Sequence, residues 1–199
     1  MPHGSTARVT ILPSLHRQVL AINRVEKLLR KVSRALDKAK IPYAVVGGNA
    51  VAAWVATVDE DAVRATKDVD VLVRRPDLAA IIDALRPCGL MHVEVMGIHR
   101  FVDRRRPSPK SGVHLLFAGE KVRPEYVHSA PDPASASRGT AGVMVIDLPG
   151  LVLMKLQANR DIDRAHLRDM LSVGLITQPI VAGLPADMRP RLQQIRATE

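Results

Sequence analysis

The sequence predicts an α+β fold in which a small mixed β-sheet is flanked by helices and followed by a helical C-terminal part. Three observations carry this prediction. An apolar stretch at residues 43–46 runs into the pair Gly47-Gly48, short segments of strand character recur up to residue 146, and the period is purely helical after Pro149. The 199 residues can bury a sizeable core, so we expect one domain, with or without a small appendage.

The first helix is predicted over residues 14–40, after an arm at residues 1–13. Its apolar positions recur every three or four residues, which is typical of an amphipathic helix. The opposite face is a basic stripe. Its members are Arg17, Arg24, Lys27, Arg30, Lys31, Arg34 and Lys38. A solvated face and an RNA-contacting face are both open interpretations of this stripe.

The remaining elements follow from changes of period along the chain. Helices are expected after the first two strands, and a loop rich in Ser, Ala, Pro and Gly at residues 129–142. The predicted strands are residues 43–46, 69–73, 91–95, 98–104, 113–117 and 143–146. The predicted C-terminal helices are residues 151–159, 162–171 and a terminal helix after residue 179. We therefore expect an arm and helix at 1–40, an α/β core at 41–147 and a helical part at 148–199.

Charge and cysteine content narrow the classes of function. The net charge of +9 favours polyanionic partners, whereas 3% aromatic residues argue against a stacking platform for single-stranded nucleic acid. A single cysteine, Cys88, excludes a disulfide framework and a cysteine metal site. With no apolar signal core and no apolar run long enough to cross a bilayer, we expect a cytoplasmic protein without membrane partners.

The pair Gly47-Gly48 lies between a predicted strand and a predicted helix. Because glycine has no Cβ, such a turn exposes its backbone N–H groups, and the helix N-terminus adds a positive dipole. Phosphate oxygens need donors of this kind. A tight turn without a ligand explains the same two residues, so the pair alone decides nothing.

Two acids, Asp68 and Asp70, flank Val69 on the second predicted strand, so they point to the same face. Adjacent carboxylates about 4 Å apart repel by about 4 kcal/mol at an effective dielectric near 20. A bound divalent cation removes this repulsion, and Mg²⁺ fits a site with two carboxylates and substrate phosphates. Two acids on an exposed strand edge are the alternative.

Together these features resemble the nucleotidyltransferase-fold superfamily related to DNA polymerase beta. The shared pattern is a strand, Gly47-Gly48, a helix, and a strand that carries R-x-T-x-D-x-D from Arg64. Within that superfamily the spacing is most similar to the AbiEii family, which includes toxins of type IV toxin–antitoxin pairs. The segment LVLMKLQANRDIDRAHLRDML from Leu151 resembles the family's second block, a lysine and an arginine on one helix followed by an aspartate on the next. The resemblance covers residues 41–176.

The resemblance implies a nucleotide-binding role for five residues. Gly47 and Gly48 would hold the triphosphate of a nucleoside triphosphate such as ATP. Arg64 and Thr66 would brace the loop or contact phosphate, and Lys155 would reach the phosphates as part of the catalytic set.

The resemblance also implies a metal and catalytic set. Asp68 and Asp70 would bind Mg²⁺ or Mn²⁺, and Asp169 would support the site, with Asp163 as a further candidate acid. The superfamily sets a third carboxylate on a later strand, where this chain has His114. A neutral histidine accepts protons near neutral pH, but it is a poor Mg²⁺ ligand. A replacement base, an impaired site and a histidine that only fills the position are all open.

The predicted function is nucleotidyl transfer from a nucleoside triphosphate to an acceptor hydroxyl, with pyrophosphate as the leaving group. RNA such as tRNA, a protein and a small molecule are open as acceptors. The family resemblance adds a toxin role and a cognate antitoxin as partner. The alternative is a catalytically impaired protein of this fold that binds nucleotide or RNA without turnover.

Overall fold

A mixed β-sheet runs through the centre of the computed structural model, which describes residues 12–66, 68–107, 112–139 and 142–198. The strands are β1 (Tyr43–Val46), β2 (Val69–Val73), β3 (Leu90–Val95), β4 (Ile98–Asp103), β5 (Val113–Phe117), β6 (Ser137–Arg138) and β7 (Met144–Val145). Their order across the sheet is β3-β4-β5-β2-β1-β7-β6. β1 is parallel to β7 and β2 is parallel to β5, while the other neighbours are antiparallel. The predicted mixed sheet is confirmed.

Helices precede, interrupt and follow the sheet. In the described ranges they are α1 (Leu12–Lys38), α2 (Gly47–Val55), α3 (Leu78–Leu85), α4 (Leu148–Ala158), α5 (Asp161–Ser172), α6 (Gln178–Gly183) and α7 (Arg189–Arg196). The predicted α+β class with a helical C-terminal part is confirmed. None of these helices is both long and apolar enough to cross a membrane.

Two details differ from the expected elements, and two predicted segments cannot be compared. The loop predicted at residues 129–142 contains the short strand β6, because Ser137 and Arg138 pair with β7. The single terminal helix is instead two helices, α6 and α7, separated by the turn at residues 184–188. The predicted arm up to residue 11, and residues 108–111 of the basic loop after β4, lie outside the described residues.

The two faces of the sheet have different roles. The Tyr43 hydroxyl donates to Asp37 on α1, so the face that carries Tyr43 is covered by α1. Val73 pairs with Tyr43 and therefore lies on that same face. Because side chains alternate along a strand, Asp70 projects from the opposite face. The candidate acid thus lies on the face that α1 leaves free.

The core consists mainly of Val, Leu and Ile side chains, and β1 is buried along its whole length. This agrees with the central position predicted for residues 43–46. Trp54 on α2 packs against the core and donates its indole N–H to the Ile146 carbonyl at 2.8 Å. That bond fixes α2 to the chain just after β7, which sets the direction in which the N-terminus of α2 points.

Candidate active site

The candidate site begins as a row of polar side chains across three neighbouring strands. Asp70 on β2 pairs with His114 on β5, and His114 pairs with Arg100 on β4. Paired residues of adjacent strands project from the same face. The His114 Nδ1 lies 3.2 Å from the Asp70 Oδ1. An acid, an imidazole and a guanidinium therefore stand side by side.

Gly47 lies directly against this row. Its φ of +67° is in the left-handed region, and a Cβ built on it would overlap the Oδ2 of Asp70. Both facts require glycine, because an L side chain would be strained there and would displace the carboxylate. The turn from β1 into α2 and the acid of β2 are therefore in closer contact than any other residue permits.

The N-terminus of α2 is the second part of the site. The first N–H groups of a helix have no acceptor within the helix, and the N-cap residue Val46 makes no side-chain hydrogen bond to them. A Cβ on Gly48 would lie 2.8 Å from the Thr66 Oγ1 and 3.5 Å from the His166 Cε1. Asn49 donates to the Asp68 carbonyl at 2.6 Å. The helix start is thus held against the segment that carries both acids.

Both acids affect the pKa of His114. The hydrogen bond to Asp70 raises its pKa above the ordinary value, and the charges of Asp70 and Asp68 add to this rise. Partial burial and the nearby Arg100 act in the opposite direction. Asp68 is exposed and Asp70 is partly buried. The two carboxylates and the imidazole therefore form one electrostatic group.

A buried ion-pair group lies on α4 and α5. The Lys155 Nζ lies 2.9 Å from one oxygen of Asp163, and the Arg160 Nε lies 2.6 Å from the other. The exposed fractions of the side chains are 6% for Lys155, 1% for Asp163 and 58% for Arg160. Burial alone would raise the pKa of Asp163, but the hydrogen bond from Arg160 and the charge of Lys155 lower it. Asp163 is therefore held as a carboxylate.

Arg160 is the exposed member of this group. Its hydrogen bond to Asp163 raises its pKa, and the negative charge of Asp70 contributes to the rise. The sequence block was expected to place the lysine and the arginine on one helix, which is wrong: α4 ends at Ala158, and Arg160 is the N-cap of α5. The second block contained Arg160 without a role, and Arg100 was not predicted at all, since only the pairing of β4 with β5 brings it to His114.

Arg64 and Asp169 form an ion pair. Arg64 donates two hydrogen bonds to the Asp169 carboxylate, at 2.9 and 3.0 Å, and so ties the segment before β2 to α5. His166 lies on the same helix; burial lowers its pKa to about 4, and the charge of Lys155 contributes. In the described part of the chain its Nδ1 has no hydrogen-bond partner. The histidine is therefore neutral and packed under Gly48.

The donor set suits one hard divalent cation. No group of three or more His, Cys, Asp or Glu side chains within the described ranges is arranged to hold a metal ion by itself. Asp68, just before β2, and Asp70 on β2 are nevertheless two carboxylates whose charges both act on His114, and Mg²⁺ keeps water ligands and accepts substrate phosphates as the remainder. The residues present thus fit an ion that is shared with a phosphorylated ligand, with an imidazole where a third acid would complete the set.

A separate cavity of about 520 Å³ lies between α1, α2 and the strands β6 and β7. Its lining is mainly apolar, and Asn49, Arg64 and Thr66 reach its edge. Neither Asp68 nor Asp70 is part of the lining. The charged site and this cavity therefore share a border but are distinct.

Comparisons with known proteins agree with this architecture. No protein-family model and no curated protein matches the chain. Among solved structures, an antigenic nucleotidyltransferase-like protein from Paracoccidioides brasiliensis matches with a TM-score of 0.50 and 16% identity over 90% of this chain and 88% of that one. ANT(2'')-Ia in complex with adenylyl-2''-tobramycin matches with a TM-score of 0.49 and 13% identity over 87% and 97%. The chain has a nucleotidyltransferase-like fold, as predicted, and AbiEii membership stays a prediction.

Replacing Gly47 tests the contact with Asp70. We expect Gly47→Ala to destabilise the protein by more than Gly119→Ala, when both are measured by denaturant unfolding. Gly119 has a similar φ of +75° but open space at its Cβ, so its substitution costs only the left-handed strain of about 1 kcal/mol. Equal losses for the two variants would contradict the close approach of Gly47 and Asp70.

The pairing of His114 with Asp70 predicts a pH dependence. NMR titration should give His114 a pKa above 6.5, and Asp70→Asn should lower it, whereas the surface variant Asp83→Asn should not. Because the folded pKa is raised, the pair stabilises the fold fully below about pH 6.5, and this contribution is lost as the pH rises through the folded pKa. The difference in unfolding free energy between the wild type and His114→Gln should shrink over that range. A His114 that titrates at or below 6.5 would refute the pairing.

Proposed function

We propose that the protein is a divalent-metal-dependent nucleotidyltransferase that moves a nucleotidyl group from a nucleoside triphosphate to an acceptor hydroxyl. The observation that carries the proposal is the contact between Gly47 and Asp70, which brings a helix N-terminus and an acid together at one point. A phosphate at the helix N-terminus and a cation on the acid would neutralise each other. The fold of the chain is consistent with this chemistry.

The start of α2 is the proposed triphosphate site. Gly47 and Gly48 leave the N–H groups of the first turn accessible, and the Thr66 hydroxyl lies beside Gly48 as a further donor. The double hydrogen bond of Arg64 to Asp169 supports a bracing role for both residues rather than direct phosphate contact by Arg64.

Asp68 and Asp70 are the proposed ligands of Mg²⁺ or Mn²⁺. When bound, the cation would stabilise the negative charge that develops on the phosphate oxygens during transfer. Asp70 also makes a hydrogen bond to His114, so its carboxylate would contact both the cation and the imidazole.

His114 is the proposed general base. Its Nδ1 faces Asp70, which leaves Nε2 for a substrate proton. The charge of Asp70 raises the pKa of His114, so a cation on Asp70 would reduce this rise and favour the neutral imidazole. The neutral imidazole then takes the proton of the acceptor hydroxyl. The oxygen forms a bond to the α-phosphorus, and the bond from that phosphorus to pyrophosphate breaks.

We assign the contact with the phosphates to the Arg160 guanidinium rather than to the Lys155 ammonium group. The Lys155 Nζ is buried and forms an ion pair with Asp163. Arg160 is more than half exposed, and the charge of Asp70 contributes to the rise in its pKa. In this assignment Lys155 holds the Asp163 carboxylate in place, and that carboxylate orients the Arg160 guanidinium. Direct contact of Lys155 with phosphate stays a prediction that would require the buried pair to open.

The proposal also covers the acceptor and the biological role. The net charge of +9 favours an RNA acceptor such as tRNA, by electrostatic steering and counterion release. A toxin role and a cognate antitoxin come from the resemblance to the AbiEii family and belong to the proposal on that basis, while the cytoplasmic location stays a prediction.

One observation favours a second candidate function, nucleotide binding without turnover. His114 occupies the position of the expected third carboxylate and pairs with Asp70, one of the two candidate metal ligands. A histidine that keeps its proton would repel a cation from Asp70 and would supply no base.

Transfer of label from each nucleoside triphosphate tests the enzyme directly. Purified protein, Mg²⁺ or Mn²⁺, and total cellular RNA and protein should give labelled product. Asp68→Asn and Asp70→Asn should each reduce the rate by roughly a hundredfold or more, because the proposed metal ligands are lost. Asp83→Asn removes a carboxylate from the exposed surface and should leave the rate unchanged.

Two further outcomes separate the candidate functions. Binding of a nucleotide by the wild type without transfer, together with a gain of transfer in His114→Asp, would establish an impaired site. Failure to bind any triphosphate with either metal, by equilibrium dialysis, would rule out both candidates.

A further inference from the structure

The outer edge of β3 is a free end of the sheet. Among the described residues no strand pairs with the side of β3 that faces away from β4. An edge strand normally carries protection against pairing with another chain, such as proline, lysine or a bulge. The sequence LMHVEV of β3 contains neither proline nor lysine, and its pairing with β4 is continuous from Leu90 to Val95. The edge is therefore competent to accept a further strand.

Large apolar side chains are exposed at the same place. Met91, Val95, Met96 and Ile98 are all exposed, and the exposed fraction of Met96 is 96%. Four such residues within eight positions form a contiguous apolar patch on the hairpin of β3 and β4. A patch of this kind on a soluble domain indicates a surface that is covered in the functional state.

The hairpin turn determines which backbone groups face outward. Met96 and Gly97 both have positive φ, of 52° and 76°, which is the two-residue type I′ turn. In such a turn the closing residue Val95 exchanges both backbone hydrogen bonds with its partner on β4, and bonded pairs then alternate along the strand. The N–H and C=O groups of His92 and Glu94 therefore point away from the sheet, towards a possible partner strand.

We propose that β3 pairs with β3 of a second copy of this chain, antiparallel, about a two-fold axis at Val93. In this register His92 of each copy lies opposite Glu94 of the other, and these residues provide the outward hydrogen-bonding groups. Met91 lies opposite Val95, so these two exposed apolar side chains contact each other across the interface. The interface is self-complementary, as a two-fold dimer requires.

The polarity of the facing side chains selects this register over the one with the two-fold axis at His92. A two-fold axis at His92 would also pair outward groups, but it would set His92 against itself and leave Glu94 opposite Leu90. With the axis at Val93, each Glu94 carboxylate lies opposite the polar imidazole of His92, which also contacts His99 of its own chain at 3.1 Å and whose pKa is lowered by burial and by His99. The Glu94 side chain is 53% exposed, and one of its oxygens lies 3.7 Å from the His99 Nε2 of its own chain, which leaves the other oxygen for a contact across the edge.

The dimer is independent of the proposed function. Asp70 is on β2, three strands away from β3, so pairing at this edge leaves the acids uncovered by the second copy. Loss of the dimer would not by itself abolish nucleotide transfer, and an inactive protein would still dimerise.

Disulfide trapping tests the register. In the full chain with Cys88→Ser, Val93→Cys should form a cross-linked dimer under mild oxidation, because directly opposed residues that are not hydrogen-bonded have Cα atoms about 4.5 Å apart. Met91→Cys in the same background should not cross-link, since it faces residue 95 of the other copy and not itself. Cross-linking of Met91→Cys in preference to Val93→Cys would overturn the register.

Sedimentation velocity tests the dimer without a cross-link. The wild type should sediment as a dimer that dissociates on dilution. Glu94→Lys, which removes the carboxylate opposite His92 and places a lysine on the paired edge strand, should weaken association by roughly tenfold or more. Glu60→Lys makes the same change of charge at an exposed position away from this edge and should have no effect. Circular dichroism checks that each variant is folded. A wild type that is monomeric at every concentration, or a Glu94→Lys variant that associates as the wild type does, would overturn the proposal.

Discussion

The contact between Gly47 and the Asp70 carboxylate is the constraint on which the rest of the site depends. β2 is held between β1 and β5, so Asp70 cannot move away, and Gly47 has no Cβ that would push it away. The contact sets a negative carboxylate beside the positive end of α2. A bare phosphate at the helix would be repelled by the acid, whereas a phosphate that brings a cation would satisfy both. The geometry therefore favours a metal–phosphate ligand over either component alone.

Ion pairs hold the C-terminal helices to this contact. Arg64 with Asp169 joins α5 to the segment before β2, and Lys155 with Asp163 joins α4 to α5 in the interior. Breaking a buried pair by removing one partner typically costs about 3–5 kcal/mol, because the other charge is left unpaired. The cost makes Asp163 a firm support for Arg160, whose exposed guanidinium is then directed rather than mobile. Charged residues thus serve to orient other charged residues around the acids.

Local patterns predicted much of the fold and part of the site. The apolar run at 43–46, the alternation in 91–103 and the helical period after Pro149 each depend on neighbours in sequence, and each corresponds to an observed element. The glycine pair and the two acids were also visible, since their spacing alone places them at strand ends. The burial of Lys155 was not predictable in this way, because it depends on the close packing of α4 against α5.

Arg100 is a second residue of the site that the sequence did not predict. Arg100 joins the site only through the register of β4 against β5, and no local pattern distinguishes it from other basic residues of the chain. β6 is too short to carry a periodicity and exists only because β7 offers it an edge. Sequence reasoning therefore finds motifs that are contiguous along the chain, while the residues that complete a site come from pairings that are not.

A crystal structure of the protein with Mg²⁺ and a non-hydrolysable nucleoside triphosphate analogue tests the central claim most directly. The account predicts one cation bound by Asp68 and Asp70, with phosphate oxygens accepting hydrogen bonds from the N–H groups at Gly47 and Gly48. A nucleotide bound elsewhere, such as in the apolar cavity beside α1, with no cation on the two acids, would contradict it.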